Sequence, residues 1–198
     1  MKCLVTGGSG FLGSHVADEL SNNNHEVIIY DKKKSRWIRK DQKMIIGDIN
    51  DVRKLNSIVK KSDYVFHFAG LSDLNDAINK PSETATNNIL ATINLLKMCK
   101  KFKIKRFIYA SSIYVLSEQG GFYRVSKKAS EEYIEEFSKR LQLKFTVLRY
   151  GTLFGPRSNN QNGVRKIIYN AVKRRKVVYD GSKKSERKYI NVKEFLIY

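Results

Sequence analysis

The sequence predicts an α/β fold, a doubly wound parallel sheet covered on both faces by helices. Three observations predict it. Short, almost wholly apolar runs alternate with longer amphipathic stretches along most of the chain. The runs are rich in Val, Ile and Phe with little polar alternation, as in strands buried on both faces. The first run also passes through the glycine-rich turn Gly7-Gly8-Ser9-Gly10 directly into a helical pattern. A chain of 198 residues, 41% of them hydrophobic, holds one such core and a smaller remainder, divided near residue 150 into regions 1–150 and 151–198.

Residues 2–6 form the first strand, with Cys3-Leu4-Val5 at its centre, and residues 11–20 the first helix after the glycine turn. Residues 26–30 read as a Val/Ile strand ending at Asp31, and Met44-Ile45-Ile46 as a short strand before Gly47-Asp48. A helix over 51–60 leads to a strand over 64–68. A long helix is predicted over 81–100, opening at Pro81 and presenting Ile89, Ile93, Leu96 and Cys99 on one face. A strand over 106–110, an amphipathic helix over 123–141 and a strand over 145–149 follow. A helix over 164–174 and a short strand over 177–179 close the pattern.

Composition excludes several classes of function. Glycines interrupt the apolar start before it could serve as a signal peptide, and no run approaches the roughly 18 to 20 apolar residues of a membrane span. A cytoplasmic protein without a membrane partner is expected. The two cysteines, Cys3 and Cys99, lie in no CxxC pair and have no clustered histidine, so neither a disulfide framework nor a metal is expected. The formal charge of +19 would suit a polyanion. Its lysines are spread over 32–34, 60–61, 100–105, 127–128, 173–176 and 183–184, however, and read as a solvated surface; nucleic acid is not an expected partner.

Gly8, Gly10 and Gly13 satisfy G-x-G-x-x-G, and Gly7, Gly10 and Gly13 satisfy GxxGxxG, between a strand and a helix. Absent side chains let a pyrophosphate reach the helix N-terminus, where free N–H groups and the dipole attract anions. Gly7, Gly10, Phe11, Leu12 and Gly13 are therefore the candidate cofactor-binding turn. Asp31 stands about 20 residues on, where a carboxylate accepts from a ribose 2′-hydroxyl and repels a 2′-phosphate. NAD is favoured over NADP. Lys32, Lys33, Lys34 and Arg36 beside it read as a solvated run, though they could also rebuild that pocket.

Tyr123 and Lys127 share one face at i, i+4 spacing near the start of a helix, and Ser112 follows the end of a buried strand. An ammonium beside a tyrosine lowers the phenol's pKa and makes it a reversible proton acceptor, while a serine can orient the same substrate oxygen. Alone, such a Tyr/Lys pair is an ordinary helix surface. Beside a dinucleotide turn, Ser112, Tyr123 and Lys127 become catalytic candidates.

The segments Thr6-Gly7-Gly8-Ser9-Gly10-Phe11-Leu12-Gly13, Gly47-Asp48-Ile49, His67-Phe68-Ala69-Gly70, Tyr109-Ala110-Ser111-Ser112, Tyr123-Arg124-Val125-Ser126-Lys127 and 148–157 together resemble the extended short-chain dehydrogenases/reductases. Within these they resemble the NAD-dependent epimerase/dehydratase branch, which acts on nucleotide sugars. The resemblance implies a Rossmann domain over 1–150 and a partial substrate-binding region over 151–198. It also implies adenine contacts for Asp48 and Ile49, cofactor contacts for Ala69, Gly70 and Lys127, a substrate-side role for Asn88, and a diphosphate contact for Arg187. Homodimerisation through the helices at 81–100 and 123–141 is implied as well.

Two departures shape the expectation. Ile113-Tyr114 stands where the family's 4,6-dehydratases carry Asp-Glu, which favours an epimerase or a related oxidoreductase over a dehydratase. Family members also continue well beyond the motif at 188–194, whereas this sequence ends at Tyr198. It reads as C-terminally truncated, so the alternative is a non-catalytic NAD-binding sensor or interaction module.

Overall fold

The computed structural model describes residues 1–177 and 189–195. It divides into two compact units, Met1–Tyr150 and Gly151–Tyr198.

The first unit is a six-stranded parallel sheet of β1 (Lys2–Thr6), β2 (Glu26–Asp31), β3 (Gln42–Ile46), β4 (Tyr64–His67), β5 (Arg106–Ser112) and β6 (Phe145–Tyr150), in the order β3-β2-β1-β4-β5-β6. This is the doubly wound order of a Rossmann fold. β1 is central, with Val5 in register with Ile29 of β2 and Phe66 of β4. The order reverses between β1 and β4, which opens a crevice at the strands' C-terminal ends.

The apolar character of the strands follows from burial on both faces. Leu4, Ile28 and Tyr30 enter one core cluster, with Leu55, Val65, Leu95, Leu96, Phe107, Tyr109 and Ile134. Their neighbours Val5, Val27 and Ile29 enter the other with Ala17. Successive side chains point to opposite faces, so a doubly covered strand leaves no polar alternation to read.

The helices are α1 (Phe11–Asn22), α2 (Val52–Val59), α3 (Leu74–Asn79), α4 (Pro81–Thr84), α5 (Ala91–Lys101) and α6 (Gly121–Leu141). The expected continuous helix over 81–100 is instead interrupted by a π-helical turn at Ala85–Leu90. An extra residue in that turn rotates the buried face. Thr84, Asn88, Thr92, Leu95, Leu96, Met98 and Cys99 are buried, while Ile89 and Ile93 are only half-buried, which corrects the expected stripe. α3 has too few residues for a periodic signal; Asp73 starts it by accepting from the Asn75 and Asp76 amides, each at 2.9 Å.

In the second unit, β7 (Thr152–Phe154) pairs in parallel with β8 (Tyr189–Asn191), and α7 (Gly163–Arg174) and α8 (Val192–Phe195) complete it. Asn162 caps α7 through the Arg165 amide at 3.1 Å and donates to the Leu153 carbonyl at 2.7 Å. Phe154, Ser158, Val164, Arg165, Ile168 and Tyr169 line an open groove of about 330 Å³. Most of the strand expected at 177–179 lies outside the described residues. Among the described residues no helix is long and apolar enough to cross a membrane, and no group of three or more His, Cys, Asp or Glu could hold a metal.

Candidate active site

The glycine turn closes on itself through Gly10 N–H to the Gly7 carbonyl at 3.0 Å, and hangs from β2 through Gly7 N–H to the Tyr30 carbonyl at 2.9 Å. Gly7 has φ +72°, and a Cβ there would stand 2.5 Å from the Ala69 amide nitrogen. Only glycine combines that dihedral with so close a backbone approach. α1 then begins at Gly10 with no side-chain cap and no acidic residue in its first turn. The leading amides and the dipole are thus left for an external anion, and the turn fits a dinucleotide's diphosphate.

Asp31 ends β2 beside this turn. Its carboxylate accepts from the Ser9 amide and from the Lys33 amide, both at 3.0 Å, while the Ser9 hydroxyl donates to the Lys33 carbonyl at 2.7 Å. Ser9 thus locks the phosphate turn to the loop after β2. It was not singled out by the sequence, where its only signal was a polar residue between two glycines. Asp48 and Ile49 follow β3; the buried Tyr30 phenol donates to the Asp48 carbonyl at 2.8 Å, and Asp48 accepts from the Asn50 amide at 2.8 Å. Tyr30 also fills the space that a Cβ on Gly47 would need.

Ala69 and Gly70 follow β4, and Asn88 governs this stretch. Its side-chain oxygen accepts from the Leu71 amide at 2.7 Å, and its amide group donates to the Leu71 carbonyl at 3.0 Å and to Ser126 Oγ at 2.9 Å. The Asn88 carbonyl accepts from Ser130 Oγ at 3.0 Å and Thr92 Oγ1 at 2.6 Å. Asn88 therefore stitches the π-turn to the loop after β4 and to α6. The buried carboxamide is held by protein on both its oxygen and its nitrogen. Beneath this loop the His67 ring lies between Thr6 Oγ1, at 2.7 Å, and Thr92 Oγ1, at 3.0 Å. Burial pushes its pKa down to about 3.

Ser112 ends β5, and Tyr123 and Lys127 lie on α6. Ser112 Oγ accepts from the Tyr114 amide at 3.3 Å, and the Tyr123 ring meets Tyr114 edge-on with centroids 6.4 Å apart. Lys127 is buried, donates to the Ala110 carbonyl at 2.8 Å, and stands 4.7 Å from the Tyr109 ring centroid and 5.8 Å from that of Tyr123. The three candidates come together where β5 meets α6. The expected lowering of the Tyr123 pKa by lysine is not found. Burial raises the phenol, the Ser112 hydroxyl pulls it back, and Lys127 is itself pushed down by burial to about 8 while holding the Ala110 carbonyl. Glu131, which the sequence did not single out, is buried one turn beyond Lys127 and binds Ser111 and Arg149. Arg187 lies outside the described residues.

The fold and this site define a Rossmann-type nucleotide-binding protein. Residues 3–196 match the NAD dependent epimerase/dehydratase family, and the chain belongs to that family. It is 30% identical to a UDP-glucose 4-epimerase of Haemophilus influenzae over 191 residues, covering 83% of this chain and 56% of the relative. Among solved structures it is similar to a UDP-glucose 4-epimerase of Thermotoga maritima with UDP-glucose, with TM-score 0.91 and 29% identity over 100% of this chain and 71% of that one. A Thermus thermophilus UDP-glucose 4-epimerase complexed with NAD gives TM-score 0.87 and 26% identity over 100% and 72%. The chain spans little more than half the length of curated relatives such as the Haemophilus protein. The cofactor expectation agrees with the family, which is NAD dependent.

Proposed function

We propose that this chain acts as an NAD-dependent epimerase, or a closely related oxidoreductase, on a nucleoside-diphosphate sugar through a transient keto-sugar. The observation that carries the reading is the meeting of Ser112, Tyr123 and Lys127 at the β5–α6 junction, in a sheet whose β1–α1 turn presents an uncapped helix N-terminus. Gly7, Gly10, Phe11, Leu12 and Gly13 would hold the NAD diphosphate, with Asp31 at the ribose and Asp48, Ile49, Ala69 and Gly70 along the remaining cofactor path. Bound NAD supplies a reversible hydride acceptor. With NAD bound, Tyr123 would take the proton of the sugar hydroxyl and Ser112 would hydrogen-bond the same oxygen, while Lys127, held on the Ala110 carbonyl, would keep a positive charge beside the Tyr123 ring. The Tyr123 phenol would return the proton to the same oxygen as the centre is re-formed with inverted configuration. By family resemblance, Arg187 would contact the diphosphate of the sugar nucleotide. Ile113-Tyr114 after Ser112 supports epimerisation over dehydration.

Exposed Leu90, Val125 and Tyr133 on the helices at 81–101 and 121–141 support a homodimer, which light scattering would detect. The functional test is calorimetry with NAD and UDP-sugars, followed by assay of the same mixture for sugar product. Tyr123→Phe is expected to keep NAD affinity and to lose at least about 100-fold in turnover. Product with an unchanged rate in Tyr123→Phe would overturn the acid–base assignment. NAD binding without sugar binding would favour the sensor reading.

A further inference from the structure

Three side chains, Tyr123, Lys127 and Glu131, recur at four-residue spacing along α6. Glu131 is buried, which is costly for a carboxylate unless it is paired and hydrogen-bonded. Its partners come from two strands. The Ser111 hydroxyl, next to Ser112 on β5, donates to Oε1, and the Arg149 guanidinium of β6 grips both oxygens at 2.7 to 3.1 Å. The fork-on-fork geometry fixes the carboxylate more firmly than a single bond could. Lys127 lies one turn away, with its ammonium on the carbonyl of Ala110, the neighbour of Ser111 on β5.

We infer that Glu131 is a positioning residue of the acid–base centre: it ties α6 to the strand segment that carries Ser112 and supplies the buried negative charge that keeps Lys127 an ammonium. The inference rests on the acid–base reading of Ser112, Tyr123 and Lys127. The groups facing Lys127 are Tyr109 of β5, His67 of β4, and Tyr123 and Glu131 of its own helix; Arg149 faces Glu131, and Tyr114 faces Tyr123. His67 and Tyr109 are neutral at pH 7, because burial pushes the imidazole down and the phenol up. Among these groups Glu131 is therefore the anion. Arg149 offsets it only in part, since its side chain is 43% exposed and its charge is shared with solvent. Burial alone drives Lys127 toward the neutral amine, and Glu131 opposes that drive.

The test follows Lys127 by carbon-13 NMR of the full chain labelled at lysine Cε, with the resonance assigned through Lys127→Met. In the parent protein that signal is expected to titrate near 8. Glu131→Gln is expected to lower its midpoint by about one pH unit or more, and Arg149→Gln, which leaves Glu131 uncompensated, to raise it. Glu131→Asp should return the midpoint part of the way. A purely structural role would not move the two variants in opposite directions. An unchanged midpoint in Glu131→Gln, or equal shifts of the same sign in both variants, overturns the inference. If Glu131→Gln does not fold by circular dichroism, Arg149→Gln decides it: a raised midpoint supports the inference and an unmoved one overturns it. The turnover of Tyr123→Phe is read separately, so failure of the acid–base assignment is distinguishable from failure of the Glu131 role.

Discussion

The Lys127 ammonium donates to the Ala110 carbonyl at 2.8 Å, so the one buried lysine of α6 is anchored to the strand that ends in Ser112. The bond replaces water that burial has removed. It holds the charge beside the Tyr123 ring, while the burial of the site makes the ammonium easier to deprotonate.

That cost has a sign. Lys127 is lowered from 10.5 to about 8 in the folded protein, so between those values the unfolded chain binds more protons. Its contribution to stability therefore improves as pH rises from about 8 to about 10.5, by about 3 kcal/mol in full. Urea unfolding of the parent and of Lys127→Met at pH 7 and pH 10 should show the difference moving in the parent's favour at the higher pH. A gap that stays constant would contradict the depressed pKa.

His67 titrates in the acid range by the same reasoning. Its pKa falls from 6.5 to about 3 on folding, so its contribution is present above 6.5 and is lost as pH falls toward 3, by up to about 5 kcal/mol. His67→Gln retains hydrogen bonding toward Thr6 and Thr92 and is expected to flatten this limb of the stability curve. Equal acid sensitivity in both proteins would locate the loss elsewhere.

Gly13 and Gly163 should respond oppositely to alanine. A Cβ on Gly13 collides with the Gly7 carbonyl and deforms the phosphate turn, whereas a Cβ on Gly163 meets nothing within 4 Å. Calorimetry is expected to show NAD affinity lower by at least about tenfold in Gly13→Ala. Gly163→Ala should leave affinity intact and gain a few tenths to about 1 kcal/mol in stability. Undiminished NAD binding by Gly13→Ala would refute the assignment of this turn.

Asn88→Ala strips the Leu71 amide and carbonyl of their side-chain partner, while the Ser126 hydroxyl keeps only its bond to the Tyr123 carbonyl. Buried groups stripped of bonds cost about 1 to 3 kcal/mol each, so a loss of at least about 2 kcal/mol is expected. Hydrogen exchange at the Leu71 amide should quicken more than at amides of β1. Protection of Leu71 that survives the substitution would show that the loop is held by other contacts.

The strands and the phosphate turn were readable because they depend on short-range rules. Val27-Ile28-Ile29 is apolar on both faces wherever a doubly covered sheet places it, and Gly7 is required by a local dihedral together with a close approach. The π-turn was not readable. Its sequence, Ala85-Thr86-Asn87-Asn88-Ile89-Leu90, fits an ordinary helix, and what supports the wider turn includes Ser130, distant in the chain, donating to the Asn88 carbonyl. β8 was equally hidden, because three residues carry no period and its partner β7 is more than 30 residues upstream.

From local patterning alone came the α/β class, the glycine turn between β1 and α1, Asp31 at the end of β2, and the Tyr123–Lys127 spacing on one helix face. Those depend on the steric needs of backbone and on helical geometry, which neighbouring residues determine. Only packing decided what each charge experiences. Burial set Lys127 near 8 and raised Tyr123 against the pull of Ser112, and packing drew Glu131 into a brace with Ser111 and Arg149. Desolvation and long-range pairing arise from residues far apart in the chain, and they acquire values only when the fold brings those residues together.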